Sequence, residues 1–300
     1  MSAVEVIDNF KSEFKYYKQK AVTPSFENVI DFEHVSTLDG KVSKVELPNA
    51  SRTWEIYSVN DVSGLYFAKG IFSDEEQKHW AEKCVKDFTV SPYSTNLDAF
   101  QSKESIDTAW SDSVEAFKSC NEKRDFDFLK TTPIWKIRWS TIGYHHNWNT
   151  RRYERESKSD FPSELANICS EVFDALGFKN YTPEAAIINY YHVGSTLSPH
   201  KDISEADLTI PLFSISLGLD AIFLIGGEEK DVKPIPLLLR SGDVLIMSGK
   251  ARTAYHAVPR IMPSTRLKFE NDDFLSFYLQ NARININIRQ VESEEHALPY

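Results

Sequence analysis

The sequence predicts an α+β protein whose strands form a sandwich or a jelly roll. After Gly177 the chain divides into short runs rich in β-branched and aromatic residues, which Gly, Pro and Asp separate. Many short strands at this spacing are typical of a sandwich or a jelly roll. The runs read AIINYYHV, LFSISLG, AIFLIGG, IPLLLR, DVLIMSG and ARININIRQ.

Helical patterns flank these strands. The clearest occupies residues 163–176, where apolar residues recur at helical spacing and Gly177 ends the pattern. Ser73 followed three residues later by Glu76 is a capping box, so we expect a helix from there to about Phe88. Further helices are expected near residues 6–18, 106–121 and 271–281.

Composition limits the classes of protein that the chain can represent. Apolar residues make up 41% of it and aromatic residues 13%, which supports a substantial core. A net charge of −10 speaks against nucleic-acid binding through the global field. The net charge does not exclude a local basic groove, and residues 136–158 are the candidate segment, because basic side chains are interspersed with aromatic ones there.

The cysteines and the N-terminus bear on the compartment. Three cysteines without close spacing argue against a disulfide framework or a zinc knuckle and predict a reducing environment. No apolar run is long enough for a membrane span, and the first residues have no secretory h-region. We therefore expect an intracellular monomer of the nucleus and cytoplasm with no membrane partner, and a mitochondrial location stays open.

The spacing His200-x-Asp202 predicts two ligands of one metal ion. In an extended segment these side chains point to the same side, and His256, in another β-like run, is the candidate third ligand. Two histidines and one carboxylate form the facial triad of non-haem Fe(II) oxygenases, which leaves coordination positions open. The alternative is that both histidines are ordinary structural residues.

Residues 282–290 place four polar side chains on one face of a strand and three isoleucines on the other. Either the polar row faces water as an arginine ladder, or it lines an interior that binds an anion. A guanidinium binds a planar carboxylate through two hydrogen bonds, so Arg283 or Arg289 suits a dicarboxylate such as 2-oxoglutarate. Asn189 and Tyr191, two residues apart, share one face and can bind the same acid.

In their order and spacing these residues resemble the AlkB family of Fe(II)/2-oxoglutarate dioxygenases. The motif comprises Asn189-x-Tyr191, His200-x-Asp202, His256 and Arg283-x-Asn285-x-x-x-Arg289. LRSGDVLIMSGKAR and HAVPR are similar to the core of that family, and RWSTIGYHHNW, FPSEL and INYYHVGSTLSPHKD are similar to its homologue-1 branch. The resemblance covers about residues 60–291.

The resemblance implies a double-stranded β-helix, which is a jelly roll, with flanking helices and an N-terminal nucleotide-recognition lid. It divides the chain into an arm (1–60), a helical support with the lid (61–180), a jelly-roll core (181–291) and a C-terminal tail (292–300). It further implies that Fe(II) is held by His200, Asp202 and His256. The residues implied for 2-oxoglutarate are Asn189, Tyr191, Asn285, Arg283 on its distal carboxylate, and Arg289 near its metal-chelating end.

The implied reaction consumes O₂ and 2-oxoglutarate and removes an N-methyl group from a nucleobase, with formaldehyde, succinate and CO₂ as products. N-methyl adenine in tRNA is the expected substrate, and DNA is an alternative substrate. In either nucleic acid the base would have to leave its stack to reach the metal. The expected substrate contacts are Trp139, Tyr144, Arg151, Arg152 and Ser204. Ser204 stands where several nucleic-acid members of the family carry an acidic residue, so the resemblance does not fix the choice of base.

Two features leave alternatives open. The aromatic stretch from Trp139 to Trp148, which includes His145 and His146, is either a stacking lid or part of the core between lid and barrel. The net charge of −10 favours a basic protein substrate, such as a methylated histone, over nucleic acid. A third alternative, from another class, is a non-catalytic jelly-roll binding module.

Overall fold

The computed structural model describes residues 8–48, 50–264 and 273–292. Within them the strands are β1 (Val42–Lys44), β2 (Glu55–Val59), β3 (Leu65–Lys69), β4 (Ser94–Thr95), β5 (Trp139–Asn147), β6 (Arg152–Lys158), β7 (Ala185–His192), β8 (Leu197–His200), β9 (Leu212–Gly218), β10 (Asp220–Ile225), β11 (Ile235–Leu239), β12 (Val244–Met247), β13 (His256–Met262) and β14 (Ala282–Arg289). The α-helices are α1 (Asn9–Lys18), α2 (Asp74–Lys86), α3 (Lys103–Asp107), α4 (Ala109–Ser119), α5 (Phe126–Thr131), α6 (Ser163–Ala175), α7 (Gly249–Arg252) and α8 (Phe274–Leu279). Two 3₁₀ helices occupy Phe32–Thr37 and Pro133–Lys136.

Two antiparallel sheets form the core, as the α+β jelly-roll prediction requires. In the described ranges the larger sheet has the order β1-β2-β3-β12-β9-β14-β7-β5-β4, and β6 pairs with β5. The smaller sheet has the order β11-β10-β13-β8. Strand β14 lies between β9 and β7, near the middle of the larger sheet, so the side chains of all three strands reach the same region.

Strand β14 is buried on both faces. Ile284, Ile286 and Ile288 are fully buried in the cluster that also contains Leu165 and Phe173 of α6. The isoleucine face of β14 therefore packs on the side of the larger sheet that α6 covers. The opposite face carries the arginines, and it points between the two sheets. Its polar row therefore lines an interior and does not form a solvated arginine ladder.

An apolar cluster occupies part of the space between the sheets. The ring of Phe32 stacks on that of Phe67 with centroids 3.7 Å apart, and Leu237, Phe223 and Leu245 belong to the same cluster. Phe223 and Leu245 also line the cavity described below, so the cavity borders directly on this cluster. Hydrophobic packing thus sets the distance between the sheets, and with it the width of the site.

Helix α1 covers the outer face of the smaller sheet. Phe10 and Phe14 of the helix pack with Leu224 of β10. Arg260 of β13 donates from Nε to the carbonyl of Tyr17 over 2.7 Å and from Nη2 to the carbonyl of Gln19. The helix expected near 6–18 is therefore present from Asn9, and Asp8 caps it by accepting from the amide of Lys11.

Several elements depart from the sequence expectation. The helix expected at 106–121 is divided at Thr108 into α3 and α4. Strands β1 and β2 of the predicted arm, and β3, β5 and β6 of the predicted lid segment, join the sheet that holds the core strands, because their edges complete its hydrogen bonding. The last helix begins at Phe274, and residues 271 and 272 of the expected range lie outside the described residues. The division into four segments stays a prediction.

The described residues contain no helix that is both long and apolar enough to cross a membrane. The capping box is present as expected, since the Ser73 hydroxyl accepts from the Glu76 amide and the Glu76 carboxylate accepts from the Ser73 amide. Cys84, Cys120 and Cys169 are all free thiols.

Candidate functional site

The His-x-Asp motif and His256 meet at the edge of the smaller sheet. His200 ends β8, His256 begins β13, and these two residues are direct partners in the antiparallel ladder. The candidate ligand atoms of His200, Asp202 and His256 all lie within 4.8 Å of one another. Nε2 of His200 lies 3.8 Å from Oδ1 of Asp202, and Nε2 of His256 lies 3.8 Å from Oδ2.

Backbone carbonyls orient both imidazoles. Nδ1 of His200 lies 2.9 Å from the carbonyl oxygen of Ser198, and Nδ1 of His256 lies 3.1 Å from that of Ala254. A carbonyl oxygen only accepts, so Nδ1 carries the hydrogen in each ring, and Nε2 keeps its lone pair. Both lone pairs are therefore available beside the Asp202 carboxylate, which is the arrangement that a divalent metal needs from histidine.

The Asp202 carboxylate is ionised in this environment. Burial would raise its pKa, but the charge of Arg289, the neighbouring imidazoles where they are protonated, and a hydrogen bond from Asn287 hold the pKa well below its usual range. Asn287 donates from Nδ2 to Oδ2 over 3.0 Å, and Nη2 of Arg289 lies 3.2 Å from the same oxygen. Burial, with a contribution from His200, lowers the pKa of His256 to about 4, so this imidazole is neutral near pH 7.

A buried chain of charges supports the metal-binding loop. Glu205 accepts from Nη1 of Arg289 and from Nη2 of Arg252, both over 2.7 Å, and all three side chains are almost completely buried. Arg252 also donates from Nη1 to the carbonyl of Asp202 and from Nε to that of Ile210. Two guanidiniums thus hold the Asp202 loop from its backbone and from its side chain.

The sequence does not predict every supporting contact. Alternation places Asn287 in the polar row with Arg283 and Arg289, but it assigns Asn287 no role at the metal ligand. Glu205 and Arg252 have no such signal, because their pairing depends on how the loop after Asp202 folds against α7.

A cavity of about 500 Å³ lies between the sheets and includes the three candidate ligands. Its lining contains the polar row predicted from the alternation, namely Arg283, Asn285, Asn287 and Arg289, and the two residues Asn189 and Tyr191. In the ladder Asn285 stands opposite Asn189, and Arg283 stands opposite Tyr191. The structure therefore brings all the residues predicted for metal and co-substrate into one cavity.

Arg283, in that lining, has two unused hydrogen-bond donors. Nη2 donates to the Ser216 hydroxyl over 3.0 Å, but Nε and Nη1 are buried and have no hydrogen-bond partner in the described chain. The guanidinium carbon lies 5.4 Å from the centre of the Tyr191 ring, whose hydroxyl is also buried without a partner. Burial lowers the pKa of Arg283.

Unsatisfied buried donors of this kind are costly unless a ligand pairs with them. The residues present therefore fit a carboxylate that enters the cavity and meets the guanidinium of Arg283. Asn285 has less capacity, because its Nδ2 already donates to the Ser214 hydroxyl over 2.8 Å and to the Ile215 carbonyl over 2.9 Å.

The predicted substrate residues divide into two groups. Arg151 and Ser204 line the cavity, and Trp139 contacts the half-exposed Trp148, also in the lining, with ring centroids 5.0 Å apart. Trp139, Tyr144 and Arg152 are not themselves part of this lining. Tyr144 packs with Tyr153, Ala185 and Val291, and its hydroxyl donates to Glu292 over 3.3 Å.

Comparisons with known proteins agree with this geometry. The sequence profile of the 2OG-Fe(II) oxygenase superfamily matches residues 64–289. The human protein named nucleic acid dioxygenase ALKBH1 is 33% identical, in an alignment that covers 97% of this chain and 86% of the human one. The fission yeast protein named tRNA demethylase abh1 is 34% identical, with 96% and 97% covered.

The fold is similar to that of a solved relative. The structure described as that of OsALKBH1 superposes with a TM-score of 0.52 and covers 76% of this chain and 96% of the other, at 20% identity. At this identity the similarity concerns the fold alone, and it agrees with the jelly-roll core.

Proposed function

The chain belongs to the AlkB family within the 2OG-Fe(II) oxygenase superfamily, and on that basis we propose that it oxidatively demethylates nucleobases, with N-methyl adenine in tRNA as its substrate. Two relatives that align over almost the whole chain carry the names of a nucleic acid dioxygenase and a tRNA demethylase. Another, from Arabidopsis thaliana, is named a DNA N(6)-methyladenine demethylase, so DNA is the rival substrate for the test below.

We assign the metal to His200, Asp202 and His256. Two Nε2 lone pairs and an ionised carboxylate, all within 4.8 Å, are the donor set that non-haem Fe(II) prefers. Fe(II), with 2-oxoglutarate and O₂, supplies the oxidation of the N-methyl group, which then leaves as formaldehyde. The chain's own part is to hold these three ligands in place and to leave open positions facing the cavity.

The single observation that carries the proposal is that Nε and Nη1 of Arg283 have no hydrogen-bond partner among the described residues, in the cavity that holds the metal cluster. A buried Arg with two free donors matches the distal carboxylate of a five-carbon diacid. We assign the Tyr191 hydroxyl and the amides of Asn189 and Asn285 to the same acid. Arg289 lies against Asp202, and we place it near the metal-chelating end.

The cavity mouth suits an extruded base. Trp139 and Trp148 form an aromatic pair beside the lining, and aromatic rings stack on bases of any sequence. Arg151 lies in the lining, on the turn between β5 and β6, and no ion pair engages it within the described ranges. We assign this arginine to a backbone phosphate next to the extruded nucleotide.

The proposal is tested by succinate formation with Fe(II), 2-oxoglutarate and tRNA that carries N1-methyladenosine. We expect product with the wild type and a loss of at least about 100-fold in His200→Ala, because a ligand to the metal is removed. His79→Ala is the matched control, since His79 pairs with Glu164 outside the cavity. Equal turnover in wild type and His200→Ala would refute the chemistry. Mass spectrometry of nucleosides from total tRNA and total DNA then decides between the two nucleic acids.

The net charge of −10 favours a second candidate, a basic protein substrate such as a methylated histone. Salt dependence separates the two candidates, because affinity for RNA falls steeply as neutralised phosphates recover their counterions. If RNA binds weakly, with a flat salt response that Arg151→Glu does not change, the protein substrate is favoured.

A further inference from the structure

The two strands of the β5–β6 hairpin lose their pairing part of the way along it. Tyr144 pairs with Lys158, and His146 pairs with Tyr153. One residue of β5 lies between these two pairs, against four residues of β6, so β6 bulges at residues 154–157. A bulge bends the strand that contains the extra residues and increases its twist. The outer hairpin, which comprises residues 146–153, is therefore joined to the sheet through a bend.

The Glu292 carboxylate bridges the two strands at this bulge. Its Oε1 accepts from Nε of Arg155, within the bulge, over 2.7 Å, and its Oε2 accepts from the hydroxyl of Tyr144 on β5 over 3.3 Å. The preceding residue, Val291, belongs to the same buried cluster as Tyr144 and Tyr153. One carboxylate thus supplies the connection between the strands that the ladder lacks there.

Glu292 and its neighbour are themselves fixed. The amides of Val291 and Glu292 both donate to Oε2 of Glu184 over 2.8 Å. Both residues lie just after β14, and Arg289, the last residue of that strand, contacts the Asp202 carboxylate. The bridge to the hairpin therefore starts from a fixed point beside the metal ligands.

The outer hairpin carries two of the substrate contacts assigned above, since Trp148 and Arg151 belong to it and line the cavity. Resting on the proposed function, we propose that Glu292 is a positioning residue for RNA binding, which acts through Arg155 and Tyr144. It fixes the outer hairpin so that Trp148 and Arg151 stand at the cavity mouth before RNA arrives. Without the bridge the hairpin would be ordered only when RNA binds, and the entropy lost would weaken binding.

Exchange of the two charges tests the inference. The probe is a stem-loop RNA with N1-methyladenosine, whose Kd is measured by fluorescence anisotropy and whose turnover is measured by formaldehyde release. Arg155→Glu and Glu292→Arg each place like charges at the bridge, so we expect each to raise the Kd about fivefold and to leave kcat within about twofold. The double variant restores opposite charges and should return the Kd to within about twofold of the wild type.

The two single variants change the net charge in opposite directions, so they separate positioning from direct contact. If Arg155 instead contacted a phosphate, Arg155→Glu would weaken RNA binding, but Glu292→Arg, which adds a positive charge, would strengthen it. Glu292→Gln keeps the shape of the side chain and should raise the Kd about twofold. Arg52→Glu is the matched control, because Arg52 pairs with Glu76 over 3.0 Å outside the cavity lining, and it should leave the Kd unchanged.

Hydrogen exchange of the protein without RNA is a readout that needs no activity. The amides of residues 147–152 should exchange at least about threefold faster in both single variants, because the bridge no longer holds the outer hairpin. In the double variant and in Arg52→Glu they should exchange at the wild-type rate.

The outcomes separate the two claims. If the wild type oxidises no methylated RNA, the proposed function fails, and the Kd values and exchange rates still decide on the hairpin. If the wild type oxidises the RNA, the proposed function stands. The inference is then overturned if Glu292→Arg tightens RNA binding, if the double variant does not recover the Kd, or if both single variants exchange at the wild-type rate.

Discussion

Nη1 of Arg289 lies 2.7 Å from Oε1 of Glu205, and neither side chain has more than 2% of its surface exposed. Nη2 of the same guanidinium contacts the Asp202 carboxylate, and Oε2 of Glu205 accepts from Arg252. The candidate metal ligand is therefore attached to a buried set of alternating charges. A substitution at Glu205 should therefore alter the position of the Asp202 carboxylate and the affinity for the metal.

Glu205→Gln should destabilise the protein by about 3–5 kcal/mol, because it leaves two buried guanidiniums without their shared counter-charge. Urea unfolding at pH 7 measures this change. Glu82→Gln is the matched control: Glu82 pairs with Lys86 over 2.7 Å on an exposed face of α2. That pair is worth only about 0.5 kcal/mol. Similar losses in both variants would contradict the buried-network argument.

Asn287→Ala should weaken metal binding by about 10- to 100-fold, since it removes a hydrogen bond that orients the Asp202 carboxylate. Competition titration with Co(II) measures the affinity. Asn281→Ala serves as the control, because Asn281 donates to the Phe277 carbonyl, outside the cavity. An unchanged Co(II) affinity in Asn287→Ala would show that the remaining contact from Arg289 suffices.

Arg283→Ala should raise the KM for 2-oxoglutarate by about 10- to 100-fold, the cost of losing a hydrogen-bonded charge pair of about 1.5–3 kcal/mol. Arg283→Lys should recover part of this loss, because an ammonium keeps the charge but not the paired donors. Co(II) affinity should stay at the wild-type value in both variants, which distinguishes this site from the metal ligands.

Arg260→Ala is the matched arginine for that experiment. Arg260 is half-buried, and its guanidinium donates to the carbonyls of Tyr17 and Gln19 behind the smaller sheet. We expect it to lower stability and to leave the KM for 2-oxoglutarate unchanged. A KM that rises equally in Arg260→Ala and Arg283→Ala would indicate a general loss of structure.

Asp31→Asn should lower the free energy of unfolding at pH 7 by about 1–3 kcal/mol. Arg240 donates to both oxygens of Asp31, over 2.5 and 2.8 Å. Burial opposes the ionisation of Asp31, but these hydrogen bonds outweigh it and lower the pKa. A lowered pKa contributes stability above the unfolded-state value of about 3.9, and that contribution is lost as the pH falls through the folded-state pKa.

Urea unfolding of wild type and Asp31→Asn at pH 7 and at pH 3 therefore checks the direction in which the contribution of Asp31 to stability changes with pH. The difference between wild type and Asp31→Asn should narrow at the lower pH, because pH 3 lies below the unfolded-state pKa of about 3.9 and protonation of Asp31 then stabilises the unfolded wild-type chain. A difference that widens toward pH 3 would mean that Asp31 is not the group that titrates.

Much of the site follows from local pattern in the sequence. Alternation placed Arg283 and Arg289 on one face, and the H-x-D spacing put His200 beside Asp202. Such features need only the strand period, which the chain dictates locally. The capping box at Ser73 and the helix at 163–176 are local in the same sense, and the structure contains both.

What the sequence did not predict depends on contacts between distant segments. The strands of the predicted arm join the larger sheet through β3, and β3 pairs with the distant strand β12, a pairing that no local period announces. Glu205 meets Arg252 only because α7 packs against the Asp202 loop. Tyr144 is an expected substrate contact, but it packs in a small cluster with Tyr153, Ala185 and Val291 outside the cavity lining.

Strand β14 behaves as a partition with chemistry on one side and the core on the other. Loss of a single residue within Ala282–Arg289 would shift its pairing with β7 and β9 by one position and exchange the two sides. The isoleucine side chains would then point into the cavity, and the guanidiniums would point into the apolar core that packs against α6. Folding and co-substrate binding would fail together, so this segment can change over evolutionary time by substitution but not by a change in length.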